Sequence, residues 1–414
     1  MSSDEFVVFC LQIAVMLATA LLLGQLFTRM RQPAVLGEMI GGLILGPTIF
    51  GNLAPEWHTW LFPDSAAIGV ARSTIIKFGA LLFLFIVGLE IDLKALRRHG
   101  TSALVIGTIG SLVPLGAGVA VVYCWPSLWS GVDDAHRLAF ALFFGACLAN
   151  TANPVLARIL LDLGLLKTDL GSMLMTATVV DDLLAWSLLP VVFAGASSDE
   201  SVTGIPLWQS GALVIGLLVA LLLFGHYVGS PLLRWIRRTF EWPTAFIGFV
   251  VVIVLASAAI SEKLGLHAFL GPFLVGMALA PSAEERGVAY EVINQFAMSF
   301  FAPLYFLSLG LTSNFIADFD ALLVGVVLVV ACVSKIAGVY GAGRLRGMNS
   351  RTSLAVGFGM NARGATGIIL AALGHERGIL DDRTYVALVT MALVTSLMAG
   401  PAMKVLAAPQ TDVR

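Results

Sequence analysis

Apolar residues dominate this chain in long runs, and short polar stretches set the runs apart. Thirteen runs can be delimited, at 6–28, 33–50, 75–91, 102–124, 138–160, 168–195, 206–229, 242–262, 266–281, 290–311, 318–343, 352–373 and 383–405. Their lengths suit α-helices crossing about 30 Å of hydrocarbon, which takes roughly 20 residues each. The pattern predicts an all-α polytopic membrane protein with about 13 transmembrane helices.

Two runs are interrupted near their middles. The fifth carries Ala149-Asn-Thr-Ala-Asn-Pro154 and the twelfth Gly357-Phe-Gly-Met-Asn-Ala-Arg-Gly364, so Asn153, Pro154, Asn361 and Gly364 mark two broken helices. The breaks lie seven segments apart, and because seven is odd, repeats offset by seven helices have opposite orientations in the membrane. Segments 1–6 then pair with 8–13, and segment 7 links them. Unwound backbone at membrane depth is tolerated only where protein or water satisfies its N–H and C=O groups. Opposed half-helix ends would set partial charges of both signs beside segment 6.

Composition excludes a soluble domain: 58% of residues are hydrophobic, 12% are charged, and mean hydropathy is +0.92. A net charge of −2 with no Lys/Arg-rich tail gives no sign of nucleic-acid binding. With odd-numbered loops taken as cytoplasmic, Arg29, Arg31, Lys94, Arg97, Arg98, Arg158, Lys167, Arg234, Arg237, Arg238, Arg286, Arg344, Arg346, Arg351, Lys404 and Arg414 fall on that side. They are 16 of the 24 Lys and Arg. This places the N-terminus outside and the C-terminus in the cytoplasm. The start, Met-Ser-Ser-Asp-Glu, lacks a basic signal-peptide region, so the first run is expected to be retained. Cys10, Cys124, Cys147 and Cys332 show no CxxC pairing and read as small buried hydrophobes. Trp57, Trp60, Trp125 and Trp129 read as an interfacial belt, and Glu38 and Glu90 as carboxylates near helix ends, cheap to solvate. His267 reads as a packing residue rather than a pH switch.

The candidate chemistry lies in segment 6, where Asp181 and Asp182 stand side by side within Met173–Trp186. A carboxylate in mid-membrane costs roughly 2.5–3.5 kcal/mol on insertion scales, so two are tolerated only where water, a counter-ion or a transported cation reaches them. Lys335 is deep in segment 11 and calls for an aspartate partner. Arg363, at the second break, has two options, pairing with Glu262 or donating to exposed carbonyls, and reads as structural glue between helices. Asp181 is read equally as structural partner and as transport participant. Asp182 is read as functional, because one lysine cannot neutralise two adjacent carboxylates. Successive helical residues point about 100° apart, so the two aspartates can face different neighbours. A carboxylate that takes either a proton or a hard monovalent cation, but not both, couples their exchange by competition. Hard cations prefer oxygen, which Thr151, Asn150, Asn153, Thr176 and Thr178 also offer. Helix capping is an equal reading for Asn153.

Six blocks, in order, resemble the signatures of the second monovalent cation:proton antiporter family, the NapA-like and Kef-like sodium or potassium/proton exchangers. They are Leu36-Gly-Glu-Met-Ile-Gly-Gly-Leu-Ile-Leu-Gly-Pro47, Phe83-Leu-Phe-Ile-Val-Gly-Leu-Glu-Ile-Asp-Leu93, Thr151-Ala-Asn-Pro-Val-Leu-Ala-Arg-Ile-Leu160, Asp181-Asp182, Gly265-Leu-His-Ala-Phe-Leu-Gly271 and Met360-Asn-Ala-Arg-Gly364. The resemblance covers essentially the whole chain. It implies a transporter and not an enzyme, without cofactor, moving H⁺ against Na⁺ or K⁺ in a lipid bilayer, expected to be the inner membrane of a prokaryote. It implies a homodimer, with residues 1–100 and 240–315 as dimerisation scaffold, 101–200 and 316–408 as ion-transporting core, 201–239 as linker helix, and elevator-type movement of the core. It also implies that Asp181 pairs with Lys335, that Asp182 is the carrier carboxylate, and that exchange is electrogenic, as in relatives with paired aspartates. Asn150 and Asn153, the latter where relatives often have Phe, depart from the family pattern beside the cavity. The sequence ends at Arg414, so the nucleotide-binding domain of Kef-type relatives is not expected.

Three other readings compete. A sodium-coupled organic-anion symporter on a similar fold would more typically have hydroxyls and amides in place of the Asp-Asp and Lys trio. A proton-driven exporter of a small organic cation would use the same carboxylates in a wider, aromatic-lined cavity. A non-transporting sensor leaves two intramembrane carboxylates without a purpose.

Overall fold

A computed structural model describes residues 1–30, 32–89, 93–129, 132–134, 136–166, 168–196, 244–263, 268–279, 288–311 and 314–407, with four single positions between 216 and 239. The linker region at 201–239 therefore falls largely outside the described residues. So do Glu90, His267 and, of the basic set, Arg31, Lys167, Arg234, Arg237, Arg238, Arg286 and Arg414. Among the described residues every regular element is helical and there is no strand. Among the described residues, seven helical stretches are long and apolar enough to cross a membrane.

The chain forms two compact units, Met1–Leu93 with Ala212–Ala317, and Lys94–Gly211 with Asp318–Arg414. The first begins with α1 (Ser3–Arg29), α2 (Ala34–Leu45), the short α3 (Phe50–Leu53) and α4 (Pro55–Leu61), and α5 (Ala66–Leu89). It continues with α10 (Thr244–Lys263), α11 (Leu270–Leu279), α12 (Val288–Phe296) and α13 (Ala302–Leu311), the last two joined by a π turn at Ala297–Phe301. α1 opens with a capping box, Ser2 Oγ accepting from Glu5 N and Glu5 Oε2 from Ser2 N. Its buried stripe is Gln12, Met16, Ala20 and Gly24, spaced one turn apart, while Phe6, Val7, Leu22 and Leu26 are exposed. In lipid that inversion is stable: hydrocarbon takes the large apolar side chains, and small or hydrogen-bonded residues make the helix contacts. α2 and α13 cross at Gly42, where a Cβ would sit 1.9 Å from the Leu307 carbonyl oxygen, so only glycine permits this approach.

Several boundaries and placements differ from the hydropathy reading. α5 starts at Ala66 and not near residue 75, because Arg72 interrupts the apolar pattern without interrupting the helix. Its guanidinium lies 5.6 Å from the Phe62 ring centroid and donates to Gln12 Oε1 at 3.4 Å. The run at 33–50 is not one helix, since α2 ends at Leu45 and two short helices follow. Glu38 is not solvated near a helix end. It is buried within α2 against Gly24 of α1, whose missing side chain makes the room. Trp129 is likewise buried, packed on Phe140 and Phe144, whereas Trp57, Trp60 and Trp125 are exposed. Cys10 and Cys124 are also exposed and only Cys147 is fully buried, so the common reading of the cysteines fails for the first two.

The second unit contains α6 (Leu93–Cys124, kinked at Gly100), α7 (Arg137–Ala149), α8 (Asn153–Asp162), α9 (Asp169–Ala196), α14 (Ala321–Leu345), α15 (Ser350–Met360), α16 (Ala365–Glu376) and α17 (Asp382–Ala407). Helices α7 and α8 are the halves of the first interrupted run, and α15 and α16 those of the second. Both trailing halves end at a left-handed glycine, Gly164 (φ 69°) and Gly378 (φ 69°), followed by backbone bonds from Leu165 N to Leu160 O and Ile379 N to Gly374 O.

Asp320 secures the start of α14. Its carboxylate accepts from Leu322 N (2.9 Å) and Leu323 N (3.1 Å) and pairs with Arg383 of α17. The Leu323 N–H first, and Arg383 with it, hold this carboxyl below the ordinary aspartate value. A depressed carboxyl stabilises the fold above its unfolded pKa and loses that contribution as pH falls through its folded one. Asp320→Ala is expected to cost about 1 kcal/mol at neutral pH, the usual worth of a cap. Thermal unfolding in detergent should show the difference shrinking below about pH 4.

Candidate functional site

Asp181 and Asp182 lie on α9 with 1% and 0% exposure. Adjacent on the helix, they face different partners. Asp181 receives Lys335 Nζ from α14, at 2.9 Å to Oδ2 and 3.0 Å to Oδ1. Ser111 of α6 lies in hydrogen-bond contact with Asp181 Oδ1 and 2.8 Å from the Gly107 carbonyl. Lys335 is itself fully buried, and it also donates to the Ala149 carbonyl. An ammonium group needs acceptors all round it, and the carboxylate together with this carbonyl supply them. Asp182 faces the first break, where Asn153 Nδ2 donates to its Oδ2.

The two breaks are bonded to each other. Thr151 Oγ1 donates to the Met360 carbonyl at 2.7 Å, and Ala152 N to the Ala362 carbonyl at 2.8 Å. The last carbonyls of α7 lack partners within their helix, and buried cations meet them. Lys335 takes Ala149 O, and Arg363 takes Leu148 O through Nε (3.0 Å) and a terminal nitrogen (2.5 Å). Two positive side chains thus sit on the negative end of one half-helix. Arg363 also donates to the Ala331 carbonyl (3.0 Å) and to Asn361 Oδ1, so its donors go to carbonyl oxygens and tie α7, α14 and the second break together. Glu262, in the other unit, accepts from Ala268 N at 2.8 Å.

The remaining expected residues divide clearly. Pro154 occupies the first turn of α8, where its missing N–H costs nothing. A Cβ at Gly364 would lie 2.4 Å from Val155 Cγ2, so this glycine lets α16 start hard against α8. Thr176 and Thr178 donate back into their own helix, to Ser172 O (2.7 Å) and Met175 O (2.8 Å). Asn153 does not cap α8: Ala152 holds the cap position, with no side-chain bond to it. Asn150 is fully buried, and neither its Oδ1 nor its Nδ2 has a hydrogen-bond partner; the same holds for Asp182 Oδ1 and Asn153 Oδ1. Two contributors escaped the sequence reading. Ser111 is an ordinary serine within an apolar run, and Ser396 of α17 supports the second break by donating to the Arg363 carbonyl at 2.6 Å. Neither carries a signal in hydropathy or spacing.

Carboxylate and lysine are thus buried among four half-helix ends. The family profile described as "Sodium/hydrogen exchanger, transmembrane" matches residues 15–408. Cation/H(+) antiporter 18 of Arabidopsis thaliana is 34% identical over 94% of this chain and 48% of its own length. The chain spans about half the length of that plant relative and others like it. The Na(+)/H(+) antiporter NhaS4 of a Synechocystis strain is 29% identical over 97% of both chains. Among solved structures, the sodium proton antiporter MjNhaP1 of Methanocaldococcus jannaschii superposes with a TM-score of 0.67 over 97% of each chain at 13% identity, a likeness of fold. The chain belongs to the sodium/hydrogen exchanger family, a family of membrane transporters and not of enzymes.

Proposed function

We propose that this chain exchanges protons for Na⁺ or K⁺ across a membrane, with Asp182 as the carrier carboxylate. The observation that carries the reading is a fully buried Asp182 with one oxygen held by Asn153 and the other without a partner. A buried polar oxygen without a partner is costly. A proton or a desolvated monovalent cation on Asp182 Oδ1 relieves that cost, and the two cannot occupy it together. Relatives named as Na⁺/H⁺ and K⁺/H⁺ antiporters support the same substrate class.

Asp182 alone exchanges one proton per cation and moves no net charge. Electrogenic exchange needs a second proton, and the Asp181–Lys335 pair is where it resides: the lysine gives up a proton as Asp181 is drawn toward the bound cation. The remaining parts follow the same reading. Thirteen helices form inverted repeats around the two broken ones. The unit Met1–Leu93 with Ala212–Ala317 is the dimerisation scaffold of a homodimer, and Lys94–Gly211 with Asp318–Arg414 the core that moves as an elevator. The chain sits in the inner membrane of a prokaryote, N-terminus outside and C-terminus in the cytoplasm. The division of the chain close to residues 100, 200 and 316 supports this assignment.

The test is dissipation of a pH gradient in proteoliposomes at clamped potential, with Na⁺, K⁺ or Li⁺ added in turn. Proton movement driven by at least one of them is the expected result. Folded protein that moves no protons with any of them across a broad pH range would reject inorganic-cation exchange and turn attention to small organic cations.

A further inference from the structure

We propose that Asn153 is the positioning residue of Asp182: its amide nitrogen occupies Oδ2, so that proton and cation contest Oδ1, with the Asn153 carbonyl oxygen as a neutral companion ligand. This deepens the antiport reading and rests on it.

Three observations carry the inference. Asn153 is the first residue of α8, one position past the Ala152 cap, and its side-chain donor goes to Asp182. The orientation of the amide follows from chemistry, since turning it over would set its oxygen against a carboxylate oxygen. Among the described residues, four of the nine buried side-chain polar atoms without a hydrogen-bond partner belong to this short stretch and the facing carboxylate: Asn153 Oδ1, Asp182 Oδ1, and both side-chain atoms of the fully buried Asn150. Buried polar atoms left unpaired beside a carboxylate call for a partner that the chain itself does not supply.

The charged groups around Asp182 are Asp181 beside it, Lys335 on α14, and Arg363 at the second break beyond Lys335. Lys335 and Arg363 are engaged by Asp181, by main-chain carbonyls and by Asn361. Among the described residues, Asn153 is thus the group that directly donates to Asp182. A donor to a carboxylate favours its anionic, cation-ready form. Neutral amide oxygens also give a weaker field than a second carboxylate would, which bears on the choice among Na⁺, K⁺ and Li⁺.

The experiment compares wild type, Asn153→Leu and Asn153→Asp in proteoliposomes, measuring KM, kcat and pH profile with each cation, and checks folding by the thermal transition in detergent. Asn153→Leu keeps the volume and removes the donor. It is expected to raise the cation KM about tenfold with little change in kcat, and to move the pH of half-maximal exchange upward by about one unit, the worth of one bond to a charged group. Asn153→Asp is near-isosteric, and its thermal transition shows whether it folds. Its second carboxylate shares a proton with Asp182, moving the profile the same way, and its stronger field shifts preference toward the smaller cation. A fall in kcat for Asn153→Leu with KM and pH profile unmoved would reduce Asn153 to a packing residue. If Asn153→Asp leaves profile and cation preference at wild-type values, the inference is overturned even where Asn153→Leu cannot be purified. Wild type that exchanges nothing overturns the antiport reading instead, and this inference with it.

Discussion

Asp182→Asn is expected to abolish coupled exchange while leaving the protein at least as stable as wild type. The amide is isosteric with the carboxylate, so Asn153 and the first break keep a partner of the same shape. It binds no exchangeable proton and offers a cation no charge, so proton flux driven by Na⁺ or K⁺ in proteoliposomes should fall at least ~100-fold, removing both ligands of the competition at once. Stability should hold or rise, because the substitution removes a buried charge that lies beside the like charge of Asp181. The thermal transition separates this from trivial unfolding. Residual coupled exchange within tenfold of wild type would move the carrier role to another group.

Lys335→Met has the second large effect, on stability before transport. It leaves Asp181 buried with Ser111 as its nearest donor and without a counter-charge. Breaking a buried pair from one side typically costs about 3–5 kcal/mol. The double variant Asp181→Asn/Lys335→Met removes the orphaned charge and should recover most of that loss, since replacing both members of a buried pair is often close to neutral. Transport sharpens the test. With the second proton gone, the double variant should exchange one proton per cation and carry no current, while still dissipating a pH gradient. A double variant as unstable as Lys335→Met, or one whose exchange still carries current, would deny the pair both roles.

The fold and the site differ in how far sequence reaches them. Helical character and membrane placement are legible because hydropathy integrates over some twenty residues. Helix ends are less so: Arg72 lowers the local average while Phe62 and Gln12 keep it inside α5. Glu38 misleads for a related reason, since the room it occupies is made by Gly24 on another helix. At the site, Asp181, Asp182, Lys335 and Arg363 stand out because charge in an apolar run is rare. Their neutral partners do not. Ser111 has the sequence context of any serine in a span, and its contact with Asp181 arises from helix packing. Asn153 before Pro154 looks like a cap in the sequence, but α8 starts one residue earlier, with Ala152 at the cap position, and the Asn153 amide donates to Asp182 on α9.

The bonds between the two interruptions reach beyond the ion. Thr151 is satisfied by Met360, and Ala152 by Ala362, so each unwound segment completes the backbone of a segment more than 200 residues away. Neither can be nucleated early in synthesis. The first must wait, with exposed main-chain groups in an apolar surrounding, until the second has entered the membrane. The N-terminal half of such a chain, taken alone, lacks the groups that pair with its own interruption.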